Sequence, residues 1–415
     1  MQQGQCPMAG LEDGYNPFVA PQLNDPYPVW AQAREEQPVF HSDVLNAWVV
    51  TRYDDVISVL RDPQTFGQNA GRKMFAESSP EADRILAELP PLNEVVSSAS
   101  EGATHTKLRR YLQDAFLPRR VAVLEPRLRG ICNGLIDAFE PRGHGDLYQD
   151  FAYPYPFLAI CDLVGLPEEY HEQVTGWADS QARLRYGNLS PEQQVVVAND
   201  LRDFYEFSCE FIKRRRAEPG DDLLSWIIQD SDASEDPLSE AQLAYQIQVL
   251  LSSGHETSTS FVMMMMFRVL QDRPRWSSLA EEPASGGAVV QEFLRLDGPV
   301  TSVWRRAKPG AKIDGVEIPS GDLISLAIGS ANADAGTFAC PRDFEPGRKN
   351  VNRHVAFGRG IHSCVGAPFA RLVAEIEIGT LAARLPKLRL AADPGLFFEP
   401  SANMRKAKQL HVEWT

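Results

Sequence analysis

The chain holds 415 residues with 41 basic and 56 acidic side chains, a formal net charge of −15 at pH 7. Hydrophobic residues make up 43% and charged residues 23%, an ordinary globular composition that excludes wholesale disorder. The negative balance argues against a nucleic-acid binder, which needs a broad basic face to neutralise phosphates. The most apolar run, Phe261 to Phe267, falls far short of the ~20 residues of a spanning helix. No basic start followed by an apolar stretch opens the chain, so a cytoplasmic protein is expected. The six cysteines (Cys6, Cys132, Cys161, Cys209, Cys340, Cys364) stand singly, which suits a reducing compartment and lacks the common zinc spacings.

In chain order, Asp25 to Glu36 reads as a first helix, Ala47 to Tyr53 as a strand, and DDVISVLRD as a short helix ending before Pro63. Phe66 to Thr104 reads as a long irregular stretch with one helix near Glu81 to Leu89, the kind of segment that covers a site. Helices then dominate: Lys107 to Ala115, Val121 to Phe139, Pro191 to Arg216 behind a Ser190 N-cap, and Glu240 to Gln271. A helix at Gly287 to Leu296 precedes strands at Val300 to Arg306, Lys312 to Ile318 and Leu323 to Ile328, and a last helix starts just after Cys364. No repeat or interdomain linker interrupts this order, so the reading is one mostly helical α+β domain over 1–415. The Met263 to Met266 run reads as core filler.

The most informative segment is HVAFGRGIHSCVGA, His354 to Ala367. It sets Cys364 just ahead of a helical run, where unpaired N–H groups and the helix dipole favour a thiolate. Glycines 358, 360 and 366 let a flat partner approach the backbone. A buried structural cysteine in a glycine-rich turn fits the same local pattern. Three further segments stand out. QEFLR places Glu292 and Arg295 three apart on one helical face, with FEPGR (Phe344, Pro346, Arg348) downstream. SSGHETST puts Gly254 in mid-helix, at about 1 kcal/mol of helix propensity, which predicts a local distortion. HTKLRR puts His105 and Arg109 on one helix face.

FGRGIHSCVG resembles the haem-binding signature F-G-x-G-x-H-x-C-x-G of the cytochrome P-450 superfamily at every fixed position. The resemblance runs over essentially the whole chain and implies a single P-450 haem domain without a fused reductase, with haem b (iron protoporphyrin IX) between the long mid-chain helix and the cysteine-loop helix. It implies Cys364 as the thiolate ligand of iron, with Phe357 and Gly358 in the loop beneath the haem and His362 supporting a propionate. His105, Arg109 and Arg305 are implied propionate donors, although Arg306 is adjacent and the strand register leaves either open. Glu292, Arg295 and Arg348 are implied as a structural charge cluster. The family's (A/G)-G-x-(D/E)-T is similar to Ser253–Gly254–His255–Glu256–Thr257, with Ser253 a departure. There Gly254 opens a helical turn over the haem, Thr257 hydrogen-bonds oxygen and Glu256 relays protons. His255 in the variable slot resembles the haem domains of self-sufficient bacterial members.

The implied activity is O₂-dependent monooxygenation of a small-to-medium apolar organic substrate, by hydroxylation or oxidative dealkylation. The implied electron source is a separate ferredoxin and ferredoxin reductase. Peroxide-driven peroxygenation and haem-based sensing or ligand carriage are the competing readings; Glu256 and Thr257 favour the O₂ route. Substrate contacts are expected from Phe75, Leu89, Trp177, Leu184, Val249, Leu250 and the stretch from Thr301 to Val303. The basic run Lys107, Arg109, Arg110, Arg119 and Arg120 is expected to offer Lys107 and Arg110 to an acidic donor.

Overall fold

The computed structural model describes residues 10–68, 79–187, 189–391 and 396–414, and these are mostly helical with short strands. They form two compact units. The first is built from Met1–Asn69, Gln291–Cys364 and Phe397–Lys408, the second from Ala70–Val290, Val365–Leu396 and Gln409–Thr415.

The first unit centres on a five-stranded sheet in the order Val39–Ser42, Ala47–Val50, Leu323–Leu326, Val303–Ala307, Phe66–Gly67. Only the pairing of Trp48–Val50 with Ile324–Leu326 is parallel. Val50, Ile324, Leu326 and Ala307 pack with Val56, Val59 and Leu60 of the helix Tyr53–Arg61, so the sheet buries one apolar face under a helix. The expected single strand over Lys312 to Ile318 is instead a hairpin, Lys312–Ile313 against Val316–Glu317. Asp314 (φ 45°) and Gly315 (φ 82°) make its turn, the Asp-Gly pair that a two-residue turn with positive φ at both positions favours.

The second unit is organised by the helix Glu240–Leu270, 31 residues and about 46 Å long. Ser239 opens it with a capping box: its hydroxyl accepts from the Gln242 N–H, and the Gln242 amide oxygen accepts from the Ser239 N–H. Ser190 and Gln193 repeat the device ahead of Pro191–Ala217. Helices Pro154–Val164, His171–Tyr186, Pro191–Ala217 and Ala367–Arg384 surround the long helix. Met263 to Met266 are fully buried there as core. The expected helix over Val121 to Phe139 is two, Pro118–Ala122 and Glu125–Phe139, because Pro126 starts a new helix and disfavours continuation through the residues before it.

One buried group in this unit works against stability. Glu377, on Ala367–Arg384, is fully buried, and neither carboxyl oxygen has a hydrogen-bond partner among the described residues. Its electrostatic neighbours are Cys132 and Tyr155, whose thiol and hydroxyl are both pushed upward in pKa, chiefly by burial. Burial likewise raises the Glu377 carboxyl well above its ordinary value. An unfolded chain releases this proton near pH 4.3, whereas the folded chain keeps it, so stability falls as pH climbs from there toward the folded pKa. Glu377→Gln, which is neutral at every pH, should melt higher than wild type at about pH 8 and converge with it near pH 4. Calorimetric melting curves across that range check this, and parallel curves for the two proteins would contradict it.

Candidate active site

In the first unit, Glu292 anchors two arginines without access to water. Arg295 binds it through both nitrogens of its fork, Nη2 to Oε1 at 2.6 Å and Nε to Oε2 at 2.9 Å. Arg348 Nε donates to Glu292 Oε1 at 3.0 Å. The remaining Arg295 donors reach the carbonyls of Asn332, Pro341 and Asp343 at 3.0, 2.6 and 3.2 Å, so all five N–H groups are used. Arg348 similarly donates to the carbonyls of Ala339 and Asp343. Breaking one partner of such a buried set costs about 3–5 kcal/mol, which makes it a fastening and not a reactive group.

That fastening reaches the cysteine loop. The Asn332 side-chain oxygen accepts from the Val355 N–H at 2.7 Å, Gly358 N–H donates to Val355 O at 2.8 Å, and Cys364 N–H donates to Phe357 O at 2.8 Å. Gly358 and Gly360 have φ of 67° and 76°, and a Cβ on Gly360 would lie 2.4 Å from the Leu60 carbonyl oxygen. The loop holds Cys364 exposed, three residues before the helix Ala367–Arg384, with His362 in the short turn Gly360–His362. Sequence reasoning passes over Asn332; its only signal is the stretch ANADAGTF. The strand Val303–Ala307 buries Arg305, whereas Arg306 is exposed and donates to the Gly321 carbonyl. Burial pushes the Arg305 guanidinium down to about 10.

In the second unit, Glu256 and Thr257 sit half-buried on the long helix. Thr257 Oγ1 donates to the Ser253 carbonyl at 2.7 Å, which leaves the oxygen lone pairs as acceptors. Gly254 corrects an expectation. The helix runs unbroken through it instead of distorting, and a Cβ there would lie 2.3 Å from Ile160 Cδ1, so its bareness admits the neighbouring helix Pro154–Val164. His105 is buried and Arg109 half-buried on Gly102–Ala115, one turn apart.

The basic run is not an open patch. Lys107 is ion-paired to Asp236, Arg120 to Asp230, and Arg110 donates to Tyr111 and Ser234. The acidic partners come from a segment more than 100 residues downstream, which the local charge count cannot see. Of the expected substrate contacts, Leu89 and Leu184 pack with Val197, Ala198 and Leu201 as core, and Trp177 stacks on Phe204 at 5.4 Å. Val249 and Leu250 remain half-buried on the long helix, and Phe75 lies outside the described residues.

A thiol on a glycine loop, a buried guanidinium and an acid–alcohol pair on a long helix define a class, and comparison with known proteins identifies it. A family model described as Cytochrome P450 matches residues 287–385. The chain is 32% identical to "Vitamin D(3) 25-hydroxylase" of Pseudonocardia autotrophica over 374 residues, covering 88% of each. It is 31% identical to "6-deoxyerythronolide B hydroxylase" of Saccharopolyspora erythraea, covering 89% of this chain and 91% of the relative. The P450 heme domain of Tepidiphilus thermophilus superposes with a TM-score of 0.90 at 28% identity over 97% of both chains. The chain belongs to the cytochrome P450 family. It is an oxygen-incorporating oxidoreductase whose cofactor is haem b. The donor set fits that group: a soft, exposed thiol suits iron, and the Arg305 guanidinium, which burial destabilises, suits a propionate. No described helix is long and apolar enough to cross a membrane.

The described cysteines divide by environment. Burial pushes the Cys132 and Cys161 thiols up to about 12, while Cys364 and Cys340 are exposed. Alkylation of haem-free protein at neutral pH should therefore label Cys364 and Cys340 and spare Cys132 and Cys161. Haem loading should protect Cys364 and leave Cys340 reactive, as read by peptide mass spectrometry. Equal labelling of Cys364 with and without haem would contradict the fit.

Proposed function

We propose that the chain is an O₂-dependent haem-thiolate monooxygenase acting on a small-to-medium apolar organic molecule, with electrons from a separate ferredoxin and ferredoxin reductase. Cys364 is the iron ligand, and His105, Arg109, Arg305 and His362 hold the propionates, with Phe357 and Gly358 shaping the loop. When bound, haem supplies a redox-active iron whose thiolate ligation favours O–O cleavage. The observation that carries the O₂ route is the pairing of Glu256 with Thr257, whose hydroxyl proton is given to Ser253 O. Thr257 Oγ1 is thereby oriented as an acceptor. Glu256 is the carboxyl that gives up a proton and is recharged from solvent.

The substrate class rests on the half-buried apolar side chains of Val249 and Leu250 on the long helix and on the names of relatives that hydroxylate a vitamin and a deoxyerythronolide. The donor approaches beside the exposed Ile361 of the cysteine loop and not at Lys107, which is ion-paired to Asp236, or Arg110, which is held by Tyr111 and Ser234. With a surrogate ferredoxin and reductase, and the compound giving the largest spin shift in a panel that includes vitamin D3 and 6-deoxyerythronolide B, wild type should form product in proportion to the electrons consumed. Thr257→Ala should consume reductant at a comparable rate but divert roughly tenfold more of it to peroxide, with the spin shift unchanged. An unchanged product yield per electron would remove Thr257 from proton delivery. Equal rates with peroxide alone would favour peroxygenation instead.

A further inference from the structure

We propose that His255 is a positioning residue that fixes the helical turn bearing Glu256 and Thr257 from behind, by tethering it to the backbone at Tyr153. The inference rests on the acid–alcohol reading above. His255 Nε2 lies 3.0 Å from the Tyr153 carbonyl oxygen. A carbonyl only accepts, so Nε2 carries the hydrogen and the tautomer is set. Burial pushes the imidazole below its ordinary pKa, with Asp179 and Glu256 opposing, so it is the neutral ring that makes this bond. The ring is 2% exposed and sits against the Tyr153 ring at 4.5 Å and the Phe157 ring at 5.2 Å.

The neighbouring residue tightens the same seam. Gly254 lets Ile160 approach to within 2.3 Å of where a Cβ would stand, so both residues immediately before Glu256 are held by the segment from Tyr153 to Ile160. At 100° per residue, His255 and Thr257 point to opposite sides of the helix. The tether therefore sets the height and rotation of the turn without touching what Thr257 faces. A displacement of about 1 Å at a reacting group costs up to ~10²-fold in rate, so a fixed turn matters to coupling. The backbone at Tyr153 is itself anchored, its N–H donating to Tyr148 O at 2.9 Å at the end of the wide turn Tyr148–Ala152.

The donor, and not the bulk, is what the tether requires. His255→Gln places an amide N–H at the same reach, whereas His255→Asn is too short and His255→Phe keeps the ring without a donor. Hydrogen exchange of the haem-loaded resting protein, read on peptides spanning 250–260, should be faster in the Asn and Phe variants and near wild type in the Gln variant. In turnover, the Asn and Phe variants should lose roughly tenfold in product per electron while keeping the substrate spin shift. Adding Thr257→Ala to either should uncouple no further than Thr257→Ala alone. Wild-type exchange in the Asn variant, equal impairment of the Gln and Asn variants, or additive losses with Thr257→Ala would each overturn the assignment. If Thr257→Ala itself leaves coupling intact while exchange responds as described, the tether stands and the proton-delivery reading falls.

Discussion

The buried carboxylate of Glu292 is the constraint from which the first unit is organised. A lone charge in that interior is too costly to keep, and two guanidiniums that bind it while donating their remaining hydrogens to backbone carbonyls make it tolerable. Those carbonyls belong to the segment from Asn332 to Asp343, which the charges hold in one conformation. Asn332 then carries the order forward to Val355, and two backbone bonds carry it to Cys364. The Cys364 thiol is thus exposed on a loop held by backbone hydrogen bonds. Electrostatics far from the sulfur decide where the sulfur is.

The second unit solves a different problem, that of presenting an acid and an alcohol in mid-helix without breaking the helix. Thr257 returns its proton to the Ser253 carbonyl, and the helix stays continuous. Gly254 and His255 then hold the turn in place, one by the absence of a side chain that admits Ile160 and one by a directional bond to Tyr153.

Motifs with fixed local geometry were legible in the amino-acid order. The capping serine at Ser190, the Glu292–Arg295 spacing and the glycine loop around Cys364 each depend on neighbours within a few residues, and each appears as read. Failures arose where distant segments decide. Lys107 and Arg120 look available until Asp236 and Asp230 fold against them. Gly254 reads as a distortion because Ile160, 94 positions earlier, is invisible to a window of sequence. Two errors had local signals that were outweighed: Asp314-Gly315 inside an apparent strand, and Pro126 inside an apparent helix. The helices Pro154–Val164 and His171–Tyr186 escaped because tertiary packing, and not a clean apolar stripe, stabilises them.

The proposed activity requires Cys364 to hold iron as a thiolate. The direct measurement is the absorption spectrum of the reduced, carbon-monoxide-bound protein beside that of Cys364→His. Wild type should show the strongly red-shifted Soret band that thiolate ligation produces, and the histidine variant, still haem-loaded, should show the imidazole-type band at shorter wavelength. A red-shifted band that survives replacement of Cys364 would contradict the account at its centre.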